Sequence, residues 1–520
     1  MTIEAATAVA PARRDSVLLS NTRWNTLAFG VGVVVNFIAL PIVIQRIGLP
    51  NFGQAGLVLA VLAPFMLVGT VLGQAATREL ARRHNDEADA QSGAAVLSTL
   101  LSFCLLASGL IWLLLVGVGP LAMRQFFNGA PTDTPWPPIF LVAACGWAAQ
   151  QFIFILQGSL AAQQNYRLLS RINILTVIVA TAITLAGVVT VPTTLGYLGA
   201  NAAGLAVSLA LWLILTRNRL PWSRVRIGLR GEGSRRILHF GGWQSASQVS
   251  GAISNQSDRY LLGSFASVIA VGQYAVAARL QEVVHTGILK VAEVLFPHFS
   301  ATANQPAQVR AHFLMISMWM LNLVGACALT PLIPLSHDLI ALWVDGQAAA
   351  GGDVLLRTLA LAGLAGCSTN VFNFYSLGIG KHSRLALLTI LQSLLTIVAT
   401  IVLIRQFGAL AAGGGILLSN LARMLVILPM CRADFMPHLS WRELAMAVCL
   451  PVATGALVGF LWQASGLIHA SGWLRLLANY ILVTGSVLIA VLGVTTLLAS
   501  GRKVLAEIFA GVRPPRAVKV

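Results

Sequence analysis

Four charged side chains lie on one face of an otherwise apolar stretch at residues 272–297. At about 100° per residue, Arg279, Glu282, Lys290 and Glu293 fall within roughly 80° of one another on a helical wheel. A guanidinium group in such a place can bind phosphate or carboxylate through two parallel hydrogen bonds. A charge that faces lipid near the bilayer centre costs at least ~2.5–3.5 kcal/mol, so this face must contact protein or water. We therefore predict a membrane helix that lines a water-accessible cavity of a transporter.

The two basic residues of this stretch, Arg279 and Lys290, are predicted to lie at different depths in the membrane. A rise of about 1.5 Å per residue places Arg279 near the middle of the membrane. The same count places Lys290 close to the cytoplasmic face, where its long side chain can reach the headgroups. Arg279 is therefore the leading candidate for substrate contact. The alternative is structural, because Arg279 with Glu282, and Lys290 with Glu293, have the i,i+3 spacing of ion pairs.

A second polar face precedes the charged stretch. Amide, hydroxyl and carboxylate groups recur there at three- and four-residue spacing in Gln244, Ser247, Gln248, Gly251, Asn255 and Asp258. Interhelical hydrogen bonding can explain any one of them. Taken together, beside the charged stretch, they favour cavity lining. The candidate cavity residues are therefore Arg279, Glu282, Lys290, Asp258, Asn255, Gln248, Gln244 and, from a thinner polar face near the N-terminus, Asn36.

The composition is that of a polytopic membrane protein. The chain is 57% hydrophobic and 10% charged, whereas a soluble protein has about 25% charged residues. The first twenty residues lack the apolar core of a cleavable signal peptide. The six cysteines have no CxxC or other metal-ligand spacing, and no GxxxxGK[ST] motif is present. We therefore expect no disulfide, metal site or cofactor. Transport would then be driven by an ion gradient or by consumption of the substrate.

Fourteen apolar stretches are long enough to cross a bilayer, which needs about 20 residues. They centre on residues 24–44, 55–76, 94–118, 139–160, 172–191, 198–215, 237–258, 270–297, 313–335, 354–378, 385–404, 410–430, 444–464 and 473–499. Most of the 34 Lys and Arg residues, among which we count Arg423, then belong to the inner side. The outer loops instead carry Asp133, Asp338, Asp345 and Asp353. This bias predicts that both termini are cytoplasmic.

The spans group into two blocks with weak internal similarity. At a constant spacing, the residues Trp24, Gly32, Asn36, Gly53 and Gln54 match Trp243, Gly251, Asn255, Gly272 and Gln273. Because six spans separate the copies, both enter from the same side and form a parallel pseudo-repeat. The predicted fold is all-α, with about 14 transmembrane helices in two six-helix bundles plus two C-terminal helices. The predicted segments are a tail at 1–22, a first bundle at 23–216, a basic linker at 217–236, a second bundle at 237–430, two extra helices at 431–500 and a basic tail at 501–520.

The linker is rich in arginine. Its seven arginines are Arg217, Arg219, Arg224, Arg226, Arg230, Arg235 and Arg236. Topogenic charge and contact with lipid headgroups explain them, and binding of a cytoplasmic partner or an anionic substrate is the alternative. The net charge of +17 does not indicate nucleic acid, because the basic residues lie in short loops between spans.

Two segments carry a family resemblance. They are DRYLLGSFASVIAVGQYAVAARLQEVV at 258–284 and IGLPNFGQAGLVLAVLAPFMLVGTVLGQAATRELAR at 47–82. Their glycine, Asp-Arg and aromatic patterns resemble the multidrug/oligosaccharidyl-lipid/polysaccharide exporter superfamily, in the polysaccharide biosynthesis branch that includes O-antigen-type flippases. The resemblance implies two bundles around a V-shaped cavity that opens alternately to each side. Such flippases have cationic cavities, from which this chain departs because two acids balance the two bases of its charged stretch.

The resemblance also implies a function. The expected substrate is an oligosaccharide on undecaprenyl diphosphate, moved across a bacterial inner membrane for lipopolysaccharide or other surface polysaccharide. Expected partners are this substrate, membrane lipids and polysaccharide assembly proteins, with no nucleic acid. A cation-coupled multidrug exporter of the same architecture is the alternative, with Glu282 and Asp258 as coupling groups. A membrane polymerase or ligase needs a sizeable outer loop, and the short loops here favour a protein that is not an enzyme.

Overall fold

The chain folds almost entirely into helices. The computed structural model describes residues 11–83, 90–126, 134–220, 222, 225, 228, 256–293, 295, 298–299, 302, 305–379, 381–435, 438–498 and 501–502. All regular secondary structure in these ranges is helical. The chain divides into two compact units, Met1–Gln256 and Ser257–Val520. The predicted limits of the linker, 217 and 236, stay predictions, because most of it lies outside the described ranges.

The described residues of the first unit form seven α-helices. They are α1 (Pro11–Ile47), α2 (Leu49–Leu62), α3 (Leu67–Arg83), α4 (Ala90–Phe126), α5 (Trp136–Ala162), α6 (Tyr166–Thr190) and α7 (Thr194–Thr216). Gly48 separates α1 from α2 with a φ of 80°, a conformation that favours glycine. A short 3-10 turn at Ala63–Met66 joins α2 to α3, since Pro64 has no N–H to continue the α-helical ladder. Together α2 and α3 make one bilayer crossing.

A helical stretch at 256–265 leads into the second unit, whose described residues form eight further helices. They are α8 (Val268–Glu293), α9 (Ala307–Leu329), α10 (Ser336–Trp343), α11 (Gly346–Gly378), α12 (His382–Phe407), α13 (Leu410–Phe435), α14 (Trp441–Ser465) and α15 (Trp473–Leu497). The first turn of α11 is interrupted at Ala350 and Gly351, where Gly351 has a φ of 98°. The side chain of Gln273 in α8 donates a hydrogen bond to the freed carbonyl of Ala350.

Twelve helices of the described ranges are long and apolar enough to cross a membrane. They correspond to twelve of the fourteen predicted spans and confirm an all-α, multi-pass membrane protein. The eighth predicted span is α8, which has 26 residues but is less apolar because of its four charged side chains. The seventh, at 237–258, lies almost wholly outside the described residues.

The order in which helices pack is the same in the two units. In the first unit, the second crossing packs on α5, while α5 and α6 both pack on α7. In the second unit, α8 packs on α11, while α11 and α12 both pack on α13. The starts of α2 and α8 also agree, because Leu49 precedes Gln54 by as many residues as Val268 precedes Gln273. The helices α14 and α15 pack on α9 and on each other, outside this shared order.

Small residues let the helices of the first unit approach closely. A Cβ atom added to Gly158 of α5 would lie 2.1 Å from the carbonyl oxygen of Gly73 in α3. One turn away, the hydroxyl of Thr77 donates to the carbonyl of Gly158 at 3.1 Å. Gly69, Gly73 and Thr77 follow the small-xxx-small spacing of close membrane helix pairs. Van der Waals contact between backbones therefore joins α3 to α5.

Candidate functional site

The charged face of α8 forms two ion pairs along the helix. Nη1 of Arg279 lies 3.0 Å from Oε2 of Glu282, and Nζ of Lys290 lies 2.9 Å from Oε2 of Glu293. The side chains of Arg279 and Glu282 are 37% and 62% exposed, and both members of the second pair are about half exposed. The pairs that the structural alternative predicted are therefore formed. Where water reaches such exposed pairs, each contributes only about 0–1 kcal/mol.

Arg279 lies near the middle of α8. In the described range of the helix it is preceded by eleven residues and followed by fourteen, and its mid-membrane depth stays a prediction. Lys290 lies in the last turn of the described range of α8. About 16 Å of helix rise separates the two basic residues, so α8 carries two cationic groups at different depths.

Asp258 is buried against α8 rather than exposed beside the ion pairs. Its side chain is 3% exposed, and its Oδ2 accepts a hydrogen bond of 2.9 Å from the hydroxyl of Tyr274. Its Oδ1 has no hydrogen-bond partner among the described residues. The Tyr274 hydroxyl supplies the hydrogen bond that a buried carboxylate needs, because desolvation of the group costs several kcal/mol. The contact ties the helical stretch at 256–265 to the first half of α8.

The other predicted cavity residues divide into two groups. Gln244, Gln248 and Asn255 lie outside the described residues, and their role stays a prediction. Asn36 is exposed, and its amide donates to the carbonyl of Gly32 in its own helix at 2.8 Å. The structure therefore brings together Arg279 with Glu282, and Asp258 with α8, but leaves the side chain of Asn36 with a local partner.

A buried arginine of the second unit was missed in the sequence. Arg423 was counted with the basic residues of the inner side, but it lies in the middle of α13 and is 7% exposed. This corrects the assignment. Its guanidinium donates to Oε1 of Gln392 in α12 and, at 2.8 Å, to Oδ1 of Asn373 in α11. Among the described residues no ion pair joins it to a carboxylate.

The network around Arg423 continues through amides. Nε2 of Gln392 donates to Oδ1 of Asn420 at 2.6 Å, and Nδ2 of Asn420 donates to the carbonyl of Ala362 at 2.8 Å. The network thus joins α11, α12 and α13. A signal for it was present in the sequence, because Asn420 and Arg423 have i,i+3 spacing inside an apolar span. Hydrogen bonding between helices, rather than an open cavity, is what this arrangement provides.

A protein-family model described as "Polysaccharide biosynthesis protein" matches residues 18–303, more than half of the 520 residues. The match includes all of the first unit from residue 18 onward, and it includes α8. The chain matches no curated protein with which it was compared.

Solved structures share the fold at low sequence identity. A lipid II flippase MurJ in an inward closed conformation is 12% identical and superimposes with a TM-score of 0.71, covering 89% of this chain and 97% of that one. An inward-facing multidrug resistance MATE family transporter of the MOP superfamily is 14% identical, with a TM-score of 0.65 and coverage of 78% and 94%. A MATE structure in the straight conformation is 16% identical, with a TM-score of 0.54 and coverage of 81% and 95%. At these identities the likeness shows the fold.

Proposed function

Because the chain belongs to the polysaccharide biosynthesis protein family, we propose that it is a flippase for a lipid-linked oligosaccharide of the undecaprenyl-diphosphate type. The substrate would cross a bacterial inner membrane by alternating access and enter surface polysaccharide biosynthesis. The observation that carries this proposal is Arg279, whose partly exposed guanidinium lies midway along α8. Family and fold point to a transporter rather than an enzyme.

The Arg279–Glu282 pair provides an exchangeable anion contact. An exposed pair contributes about 0–1 kcal/mol, whereas hydrogen bonds to charged groups contribute about 1.5–3 kcal/mol. A diphosphate offers the planar guanidinium a bidentate partner with more negative charge than one carboxylate. It can therefore replace Glu282 at Arg279. Glu282 then restores the pair when the diphosphate leaves, so Arg279 is never left in the membrane without an anion.

Lys290 gives the same helix a second cation nearer its end. Its ammonium group is paired with Glu293 and half exposed. A diphosphate that enters from the end of α8 would meet Lys290 first and Arg279 about 16 Å further along. Asp258 fits a positioning role, because its hydrogen bond with Tyr274 fixes α8 relative to the preceding helical stretch. Membrane lipids and polysaccharide assembly proteins are the partners that this function would involve.

The test is complementation of a strain that lacks the gene. The Arg279→Ala variant is expected to lower surface polysaccharide by roughly ten- to a hundredfold, the effect of losing about 1.5–3 kcal/mol of charged hydrogen bonding. Lipid-linked oligosaccharide should accumulate in the same cells. The control is Arg405→Ala, which removes an exposed arginine from the last turn of α12 and should complement fully. Immunoblots would establish that the variants are present in equal amounts.

Two outcomes would contradict the proposal. Normal polysaccharide in the Arg279→Ala strain would remove Arg279 from the transport path. Unchanged polysaccharide in the gene deletion, together with altered drug resistance, would favour a cation-coupled multidrug exporter of the same fold. In that case Glu282→Gln should reduce the resistance, because an amide cannot take up and release a proton.

A further inference from the structure

An apolar furrow of about 580 Å³ runs along α4 in the first unit. The described residues that line it include Ser102, Leu106, Gly109, Leu110, Leu113 and, from the linker, Gly228. Its volume falls in the ~300–1,000 Å³ range of small-molecule sites. Apart from the hydroxyl of Ser102 and the indole N–H of Trp112, its side chains offer no hydrogen-bonding groups. The furrow is therefore suited to a hydrocarbon chain.

The depth of the furrow matches half of a bilayer. Gly109 is the middle residue of the Gly93–Gln125 crossing. Ser102 lies about 10 Å from it toward the start of α4, and Leu113 lies about 6 Å beyond it. A hydrocarbon core is about 30 Å thick, so the furrow runs from near one headgroup region to just past the midplane. One acyl chain of a phospholipid spans the same distance.

The end of the furrow at Ser102 is where the linker attaches. The backbone N–H of Gly228 donates to Oγ of Ser102 at 2.9 Å. Leu220 belongs to the buried cluster that contains Leu97 and Leu100 of α4, and the linker residues Trp222 and Val225 pack against that cluster. The described part of the linker is therefore docked beside α4, at the level of the polar end of the furrow.

Positive charge accompanies this docked segment. Arg217 and Arg219, which directly follow α7, are exposed. The sequence adds five more arginines before residue 237. Exposed arginines at the membrane surface attract anionic headgroups, at about fivefold in affinity for each residue. The combination of an apolar furrow and a basic segment at its polar end is complementary to an anionic amphiphile.

We propose that the α4 furrow binds one acyl chain of an anionic phospholipid, whose headgroup contacts Arg217 and Arg219 at the start of the linker. A zwitterionic phospholipid fills the furrow equally well but gives the arginines no net charge to neutralise. Selectivity for the headgroup therefore comes from the linker, and the depth of insertion comes from α4. A lipid held in this way fixes the linker to the first unit at the membrane surface.

Two glycines of α4 allow a matched test. A Cβ atom on Gly109 or on Gly117 would meet nothing within 4 Å, so both positions have open space where a side chain would begin. Gly109 lines the furrow, whereas Gly117 is exposed beyond it. Gly109→Phe therefore fills the furrow, and Gly117→Phe adds the same side chain elsewhere on the helix.

The measurement is native mass spectrometry of the full-length protein with phosphatidylglycerol or phosphatidylcholine of identical acyl chains. The wild type and Gly117→Phe should bind phosphatidylglycerol preferentially. Gly109→Phe should lower the bound fraction of phosphatidylglycerol by about tenfold, because the phenyl ring would exclude roughly two methylene groups of the acyl chain. A double variant, Arg217→Gln with Arg219→Gln, should reduce the preference for phosphatidylglycerol while leaving binding of phosphatidylcholine unchanged.

Three results would overturn the proposal. Equal binding of the two phospholipids by the wild type would remove headgroup selectivity. Equal lipid binding by Gly109→Phe and Gly117→Phe would place the lipid outside the furrow. Displacement of phosphatidylglycerol by an equimolar amount of undecaprenyl phosphate would show that the furrow prefers a polyprenyl chain. None of these results depends on transport, so they leave the proposed function untouched.

Discussion

Arg279 and Arg423 both lie near the middle of long helices, but their surroundings differ. Arg279 is paired with a neighbouring carboxylate and partly exposed. Arg423 is buried, and amide oxygens from two other helices receive its hydrogen bonds. An exposed pair can exchange partners. If the buried Arg423 side chain moved away, its partners on the two other helices would lose their hydrogen-bond donor. This difference supports the proposed substrate contact of Arg279 and suggests that Arg423 contributes to the integrity of the second unit.

Replacement of Arg423 is expected to destabilise the protein. Arg423→Ala leaves the side-chain oxygens of Gln392 and Asn373 without their donor, at about 1–3 kcal/mol for each unsatisfied buried group. Thermal unfolding of the purified protein in detergent should show a lower midpoint. Arg405→Ala, on the exposed end of α12, provides the control and should leave the midpoint unchanged. Equal midpoints for the two variants would contradict the structural role of Arg423.

At the residue scale, contacts within one helix were predictable and contacts between helices were not. The i,i+3 spacing of α8 was enough to anticipate both ion pairs. The network of Arg423 was not anticipated, because Asn373, Gln392 and Arg423 belong to three different helices and only tertiary packing brings them together. Asp258 illustrates the same limit, since its partner Tyr274 lies in another helix.

At the scale of elements, contact between α3 and α5 depends on glycine. Gly158→Ala is expected to force the two backbones apart, because its Cβ would lie 2.1 Å from the carbonyl oxygen of Gly73. Overpacking of this kind costs about 1–3 kcal/mol. Unfolding midpoints of purified Gly158→Ala and of Gly117→Ala, whose position has open space, would give the comparison. A midpoint for Gly158→Ala at or above that of Gly117→Ala would show that this contact is dispensable.

The helices themselves were predictable because a bilayer imposes one requirement on all of them. About twenty apolar residues must be continuous, and this requirement located twelve crossings that the structure confirms. Interruptions were harder to foresee. The break before α3 follows from Pro64, but the turn at Gly351 is stabilised by Gln273, which is distant in sequence.

At the scale of the molecule, the family match and the shared fold confirm the resemblance stated for residues 47–82 and 258–284. Five matched residues gave a weak indication of a repeat. The common packing order within the two units supports it more strongly, because it involves four crossings in each. A repeat diverges in sequence while packing order is preserved, so the structure reveals what the residues no longer show.

The topology makes a prediction for the ends of the chain. The fourteen predicted crossings would place both termini on one side, and the basic inner segments predict that this side is the cytoplasm. Alkaline phosphatase fused to the C-terminus should be inactive, and green fluorescent protein fused there should fluoresce. Alkaline phosphatase inserted after Phe126, in the predicted outer loop between the third and fourth spans, should be active. An active C-terminal phosphatase fusion would require an odd number of crossings.

The two ion pairs of α8 have one more consequence. Each pair joins residues of the same helix, and each sums to zero charge over about 3 Å. A transmembrane voltage does work of about 2.3 kcal/mol per elementary charge at 100 mV, but only on net charge that is displaced along the field. If α8 rocks or slides as a rigid rod, the positive and negative charges of each pair move together across the field. The resting potential then exerts no net force on it, and whatever voltage sensitivity the cycle has must come from the cargo or from other helices.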